Sequence, residues 1–166
     1  MTARLRLLLV DACVLIDFAK SDSSVITLAS RYVGDVHVAT PVFEEVHDLD
    51  PAMAASLGIK LFEPPLEMLV DAAARRGRLS FQDRLCVLAA KANGWTCVSN
   101  DRRLRESCKA ELVPVMWGFE LLALLVERKA LTPTAARDIA KNIAASNKRI
   151  GRQVLLRFFA KIRVKE

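Results

Sequence analysis

Apolar and polar positions alternate in blocks along the chain, and the blocks change period. Residues 5–10 (LRLLLV) form an apolar run broken only by Arg6, the pattern of a strand buried on both faces. Short runs of the same kind recur at 35–39 (DVHVA), 96–99 (TCVS) and 112–116 (LVPVM). Between them lie stretches with helical spacing or helical start signals: 14–20, Ser24–Tyr32, 41–48, 65–76, Phe81–Asn93, 102–109 and 117–128. Strands that alternate with helices predict right-handed βαβ units, and hence an α/β fold, a three-layer α/β/α sandwich with a central parallel sheet.

Local punctuation agrees with these boundaries. Thr40-Pro41 and Thr132-Pro133 each place a capping hydroxyl before Pro at the first helical position, Ser80 stands three residues before Asp83, and Asn93-Gly94 closes a helix before the next strand. Beyond Thr132 the pattern holds two more helices, 135–147 and Arg152–Ile162, with no strand between them. The second carries Val154, Leu155, Phe158, Phe159 and Ile162 on one side and Arg157, Lys161 and Lys165 at intervals of four on another. The expected organisation is a main domain over residues 1–130 and a basic helical extension over 131–166.

Charge sharpens that division. The chain of 166 residues has 25 Lys and Arg against 19 Asp and Glu, a formal charge of +6. Residues 139–166 contain eight basic residues and one acidic residue, so the extension carries +7 and the remainder is close to neutral. With 52% hydrophobic residues the chain has the profile of a globular protein, which excludes disorder and low complexity. Cys13, Cys86, Cys97 and Cys108 lie far apart, without a zinc-type pairing, and read as reduced, mostly buried thiols of a cytoplasmic protein. No apolar run has the length of a signal peptide core or a membrane span, so no membrane partner is expected.

Candidate chemistry comes from acidic residues placed against the predicted strands. In doubly wound sheets ligands bind beyond the carboxyl ends of the strands. Asp11 directly follows the first strand, Asp101 follows the 96–99 strand, Asp83 falls in the first turn of the helix before that strand, and Glu45, with Glu44 as its competitor, falls in the helix after the second strand. Each also has a structural explanation: Asp11 and Asp101 as helix caps, Asp83 as partner of Ser80 in a capping box, the Glu pair as a solvated face. Several carboxylates on one rim repel, and a hard divalent cation such as Mg²⁺, or Mn²⁺ in its place, relieves that repulsion with oxygen ligands.

At these residues the sequence resembles the PIN-domain ribonucleases, the fold of VapC-type toxins. The stretches that carry the resemblance are LLLVDACVLID (7–17), TPVFEEV (40–46), LSFQDRLCVLAAKANG (79–94) and TCVSNDRRLRE (96–106), in the family's order over most of residues 5–116. The resemblance implies an acidic site of Asp11, Glu45, Asp83 and Asp101, with Asp11, Asp83 and Asp101 on the metal and Ser99 and Ser80 supporting them. Glu45 is preferred to Glu44 because it precedes Val46. The chain departs from the family at Ala12 and Cys13, where Ser, Thr or Asn is common.

The same resemblance implies Mg²⁺-dependent hydrolysis of RNA by the toxin of a type II toxin–antitoxin pair, with a protein antitoxin and a homodimer as further partners. Arg84, Arg102 and Arg103 are candidates for holding the RNA backbone, as is Arg105, with a solvated helix face as the plain alternative. Trp95 and Trp117 read as core aromatics before they read as base-stacking platforms. Two other functions stay open: a PIN-fold nuclease of RNA processing without an antitoxin, and a non-catalytic RNA-binding or interaction module. A phosphate-accepting receiver domain is disfavoured, since the second strand ends in Ala39-Thr40.

Overall fold

The computed structural model describes residues 7–74 and 77–163. Leu5, Arg6, Arg75, Arg76 and Lys165, which enter the expectations above, lie outside the described residues. Five strands, β1 (Leu8–Val10), β2 (Val36–Ala39), β3 (Ile59–Phe62), β4 (Thr96–Val98) and β5 (Val115–Met116), form one sheet in the order β3-β2-β1-β4-β5. All four pairings are parallel. β1 has no exposed residue, as its unbroken apolar run requires of a central parallel strand.

Ten helices are present among the described residues: α1 (Ala12–Ser21), α2 (Ser24–Tyr32), α3 (Thr40–Phe43), α4 (Pro51–Leu57), α5 (Leu66–Ala74), α6 (Phe81–Asn93), α7 (Arg102–Ala110), α8 (Gly118–Glu127), α9 (Pro133–Ser146) and α10 (Arg152–Ile162). α6 packs on β1, β2 and β4 and touches α5 and α7, while α2 packs on β2 and β3 and joins α1 and α8. The arrangement is an α/β fold compatible with a three-layer α/β/α sandwich. No helix among the described residues is long and apolar enough to cross a membrane.

Capping follows the sequence signals closely. Ser80 and Thr132 accept from the backbone N–H of Asp83 and Ala135, and Gly94 closes α6 in the left-handed conformation at φ 67°. Thr40 differs from expectation: it lies inside α3, and its hydroxyl donates to Glu63 across 3.0 Å. α3 also ends at Phe43, short of the predicted 41–48, because the chain tightens into three-residue turns in which the N–H groups of Glu45 and Val46 bond the carbonyls of Val42 and Phe43. Asp50-Pro51 then starts a new helix, α4, which the sequence pattern did not assign. β3 was likewise unassigned; it is an edge strand with one fully buried residue, Ile59.

The C-terminal pair is built into the body. α9 packs on α1 and α8, α10 packs on α8 and α9, and their buried residues Ala136, Ile139, Ala140, Ile143, Phe158 and Ile162 join the same hydrophobic core as the sheet. The centroids of the Phe119 and Phe158 rings lie 5.0 Å apart at that seam.

Candidate active-site cleft

The strand order sets the position of the cleft. From β1 the chain moves outward through β2 and β3, then crosses back to β4 and β5, so the order reverses between β1 and β4. Such a switch point opens a crevice beyond the carboxyl ends of the two strands. Val10 pairs with Val98, and the Asp11 N–H continues the ladder to the Val98 carbonyl at 3.1 Å. Asp11 and Ser99, each one residue past its strand, therefore stand side by side.

A cleft of about 390 Å³ opens there, lined by Asp11, Cys13, Glu45, Ser80, Asp83, Asp101 and Arg149 among others. The four acidic residues expected at the site all line it, and Glu44 does not. Glu45 reaches it from the turn after α3, a correction to its expected place within a helix.

Asp11 is 2% exposed. Its Oδ1 accepts from the Val14 N–H at 3.1 Å and from the Cys13 Sγ at 2.9 Å, and its Oδ2 accepts from the Ser99 hydroxyl. Burial raises its pKa to about 6, against the pull of these three hydrogen bonds, and the nearby Asp83 charge adds to the rise. Burial also pushes the Cys13 thiol up, so it stays protonated and donates. Cys13 thus supplies Asp11 with a side-chain donor from the first turn of α1.

Ser99 links the two strand-end acids, since its hydroxyl also accepts from the Asp101 N–H at 2.9 Å. Asp101 caps α7 by accepting from the Leu104 N–H at 3.0 Å, and its Oδ2 faces the Arg149 guanidinium at 3.5 Å. Asp83 and Glu45 are raised chiefly by burial; Asp101 raises Asp83 further, and Asp83 raises Glu45. The capping reading and the site reading therefore hold together for Asp11 and Asp101: each caps a helix and lines the cleft.

A divalent cation suits this donor set by chemistry. The donors are oxygens, and burial with mutual repulsion raises the pKa of Asp11, Asp83 and Glu45, a cost that a cation would offset. No three His, Cys, Asp or Glu side chains among the described residues are grouped closely enough to hold a metal ion together.

The basic candidates fare differently. Arg84 is buried, does not line the cleft, and holds Glu111 in a two-pronged pair. Arg105 is buried too, donating to the Ser99 carbonyl at 3.3 Å and lying 3.4 Å over the Trp117 ring. Arg102 and Arg103 are exposed outside the cleft, and Arg102 pairs with Glu106 one turn on. Trp95 stacks on His37 at 4.3 Å and is a core residue.

Sequence reasoning missed Arg149 and the residues that hold it. Asp17 of α1, buried, accepts from the Asn147 side-chain amide at 3.1 Å and from the Asn100 amide at 3.0 Å. Asn147 in turn accepts the Arg149 backbone N–H at 3.0 Å. The partners are up to 130 residues apart, and no local motif marks them.

Fold and site together define an α/β domain with an acidic cleft at the switch point of a parallel sheet. Compared with known proteins, the chain matches no family model, no curated protein and no solved structure.

Proposed function

We propose that the chain is a PIN-like, Mg²⁺-dependent endoribonuclease that hydrolyses RNA phosphodiester bonds, acting in the cytoplasm as the toxin of a type II pair under a protein antitoxin. One observation carries this reading: four carboxylates from separate elements line a single cleft at the switch point between β1 and β4. When bound, Mg²⁺ or Mn²⁺ supplies a Lewis acid that offsets phosphate charge and acidifies water. Asp11, Asp83 and Asp101 would hold it. Glu45 has a raised pKa and stands at the edge of the cleft, where its carboxylate can orient the attacking water and take its proton. Ser99 keeps Asp11 and Asp101 in register, and Ser80 fixes the first turn of α6 that carries Asp83.

The test is RNA cleavage with Mg²⁺ or Mn²⁺ by wild type and Asp11→Asn, with growth arrest on expression as the cellular readout. Cleavage and arrest by wild type, abolished by Asp11→Asn, support the reading; intact RNA with both cations refutes it. Arrest relieved by co-expression of a neighbouring antitoxin gene separates a toxin from an RNA-processing nuclease.

The separation of the carboxylates, which among the described residues form no group of three close enough to hold a metal ion, favours a second reading as a non-catalytic RNA-binding or interaction module. Calorimetric titration with Mn²⁺ decides between them. The module shows no saturable binding that depends on Asp11, and the nuclease does.

A further inference from the structure

The cleft is lined by four carboxylates and, among the described residues, by one basic side chain, Arg149. Arg149 comes from the turn between α9 and α10, and a chain of hydrogen bonds, part-buried at Asp17 and exposed at Arg149, delivers it. Asp17 on α1 grips Asn147 through both carboxylate oxygens at 3.2 and 3.1 Å, and Asn147 Oδ1 holds the Arg149 N–H. Asn100, next to Asp101, is tied to the same carboxylate and also accepts the Gly118 N–H at 3.0 Å. The network binds the α9–α10 turn to the strand end that presents Asp101, so the backbone of Arg149 is fixed while its side chain is free to choose partners.

That side chain is loosely engaged. It is 76% exposed, and its contact with Asp101 is a single one at 3.5 Å. An exposed pair of this geometry is worth little and is easily exchanged. A guanidinium presents five N–H donors in a planar fork matched to two oxygens of a phosphate. A phosphodiester that enters this cleft meets an acidic wall, and Arg149 is the residue positioned to offset the repulsion from the protein side.

We propose that Arg149 binds the phosphate of the substrate in the cleft, exchanging Asp101 for a non-bridging phosphate oxygen, with Asp17 and Asn147 as the residues that position it. The inference rests on the nuclease reading for its substrate class. It differs from the expected RNA contacts, Arg84, Arg102 and Arg103, and assigns one residue of the basic extension a place in the site.

The experiment compares wild type, Arg149→Ala, Arg149→Lys and Arg157→Ala. Arg157 is an exposed residue of α10 that lines a separate groove with Trp117 and Phe119, so its removal controls for net charge. Affinity for a short single-stranded RNA is read by fluorescence anisotropy in EDTA, and KM and kcat by cleavage in Mn²⁺. Arg149→Ala is expected to weaken metal-free binding by about tenfold and to raise KM more than it lowers kcat, with partial recovery in Arg149→Lys and a much smaller effect of Arg157→Ala. Equal losses in Arg149→Ala and Arg157→Ala, or an Arg149→Ala that binds as wild type or cleaves faster, overturns the proposal. If wild type cleaves no RNA, the nuclease reading fails on that result, and the metal-free binding comparison still decides Arg149.

Discussion

Asp11→Asn is expected to abolish cleavage and to make the protein more stable at neutral pH. Asp11 is almost fully buried, and its pKa moves from 3.8 to about 6 on folding. Ionising it inside the protein therefore costs roughly 3 kcal/mol at pH 7 and above, and about half that near pH 5. Between pH 3.8 and 6 the folded state binds the Asp11 proton more tightly than the unfolded state, so this residue lowers stability as pH rises through that window. Asparagine does not ionise. It keeps a carbonyl oxygen for the Val14 N–H and the Cys13 thiol, while the Ser99 hydroxyl loses its acceptor, at about 1 kcal/mol. The net gain is about 2 kcal/mol at pH 8, shrinking by roughly 1.5 kcal/mol at pH 5. Urea unfolding of both proteins in EDTA at the two pH values measures it. A stability difference that is the same at pH 5 and pH 8, or that favours wild type more at pH 8, refutes the reasoning.

Mn²⁺ added at a hundred times its dissociation constant is expected to stabilise wild type by about 2.7 kcal/mol and raise its melting temperature by roughly 5–10 °C, with no shift in Asp11→Asn. A flat response in wild type, followed by differential scanning fluorimetry, supports the module reading instead. Ser99→Ala strands a buried carboxylate oxygen and the Asp101 N–H, so urea unfolding should show a loss of about 1–3 kcal/mol. Arg84→Ala leaves Glu111 without its two-pronged partner and should cost about 2 kcal/mol or more, with metal-free RNA affinity unchanged. An Arg84→Ala variant that unfolds like wild type but loses RNA affinity would refute its structural role.

What the chain displayed in one dimension depended on how local the cause was. β1, α2, α6 and α10 follow from runs, periods and caps that act within a few residues, and the structure reproduces them. Asp11 and Asp101 were legible for the same reason, each standing just past a strand. β3 was not legible, because an edge strand with one buried position has neither a continuous apolar run nor a clean alternation. α4 carried a readable start in Asp50-Pro51, where the Asp50 carboxylate accepts the Met53 N–H at 2.8 Å, the same signal as Thr132-Pro133. The pairing of Arg84 was not legible, since its partner, Glu111, lies 27 residues on, and only the packing of α6 against α7 brings the two together. Arg149 was hidden behind the net charge of its segment, in which it looks like any of the eight basic residues.

Helix capping accounts for Asp101 but not for Asp11. Asp101 is 26% exposed, so part of its carboxyl stays in water, and a carboxylate is as good a cap there as any other residue. At Asp11, asparagine or serine would accept the Val14 N–H equally well and would avoid the cost of burying a charge. Three donors, the Cys13 thiol, the Val14 N–H and the Ser99 hydroxyl, are arranged to make the ionised form tolerable, and burial still holds its pKa near 6. A carboxylate kept against its own stability, at the switch point of the sheet and beside three more acids, is what the proposed metal-dependent function expects of Asp11 and what capping alone does not require. Under the proposed function a bound cation would offset this cost, since burial and mutual repulsion raise Asp11, Asp83 and Glu45 together.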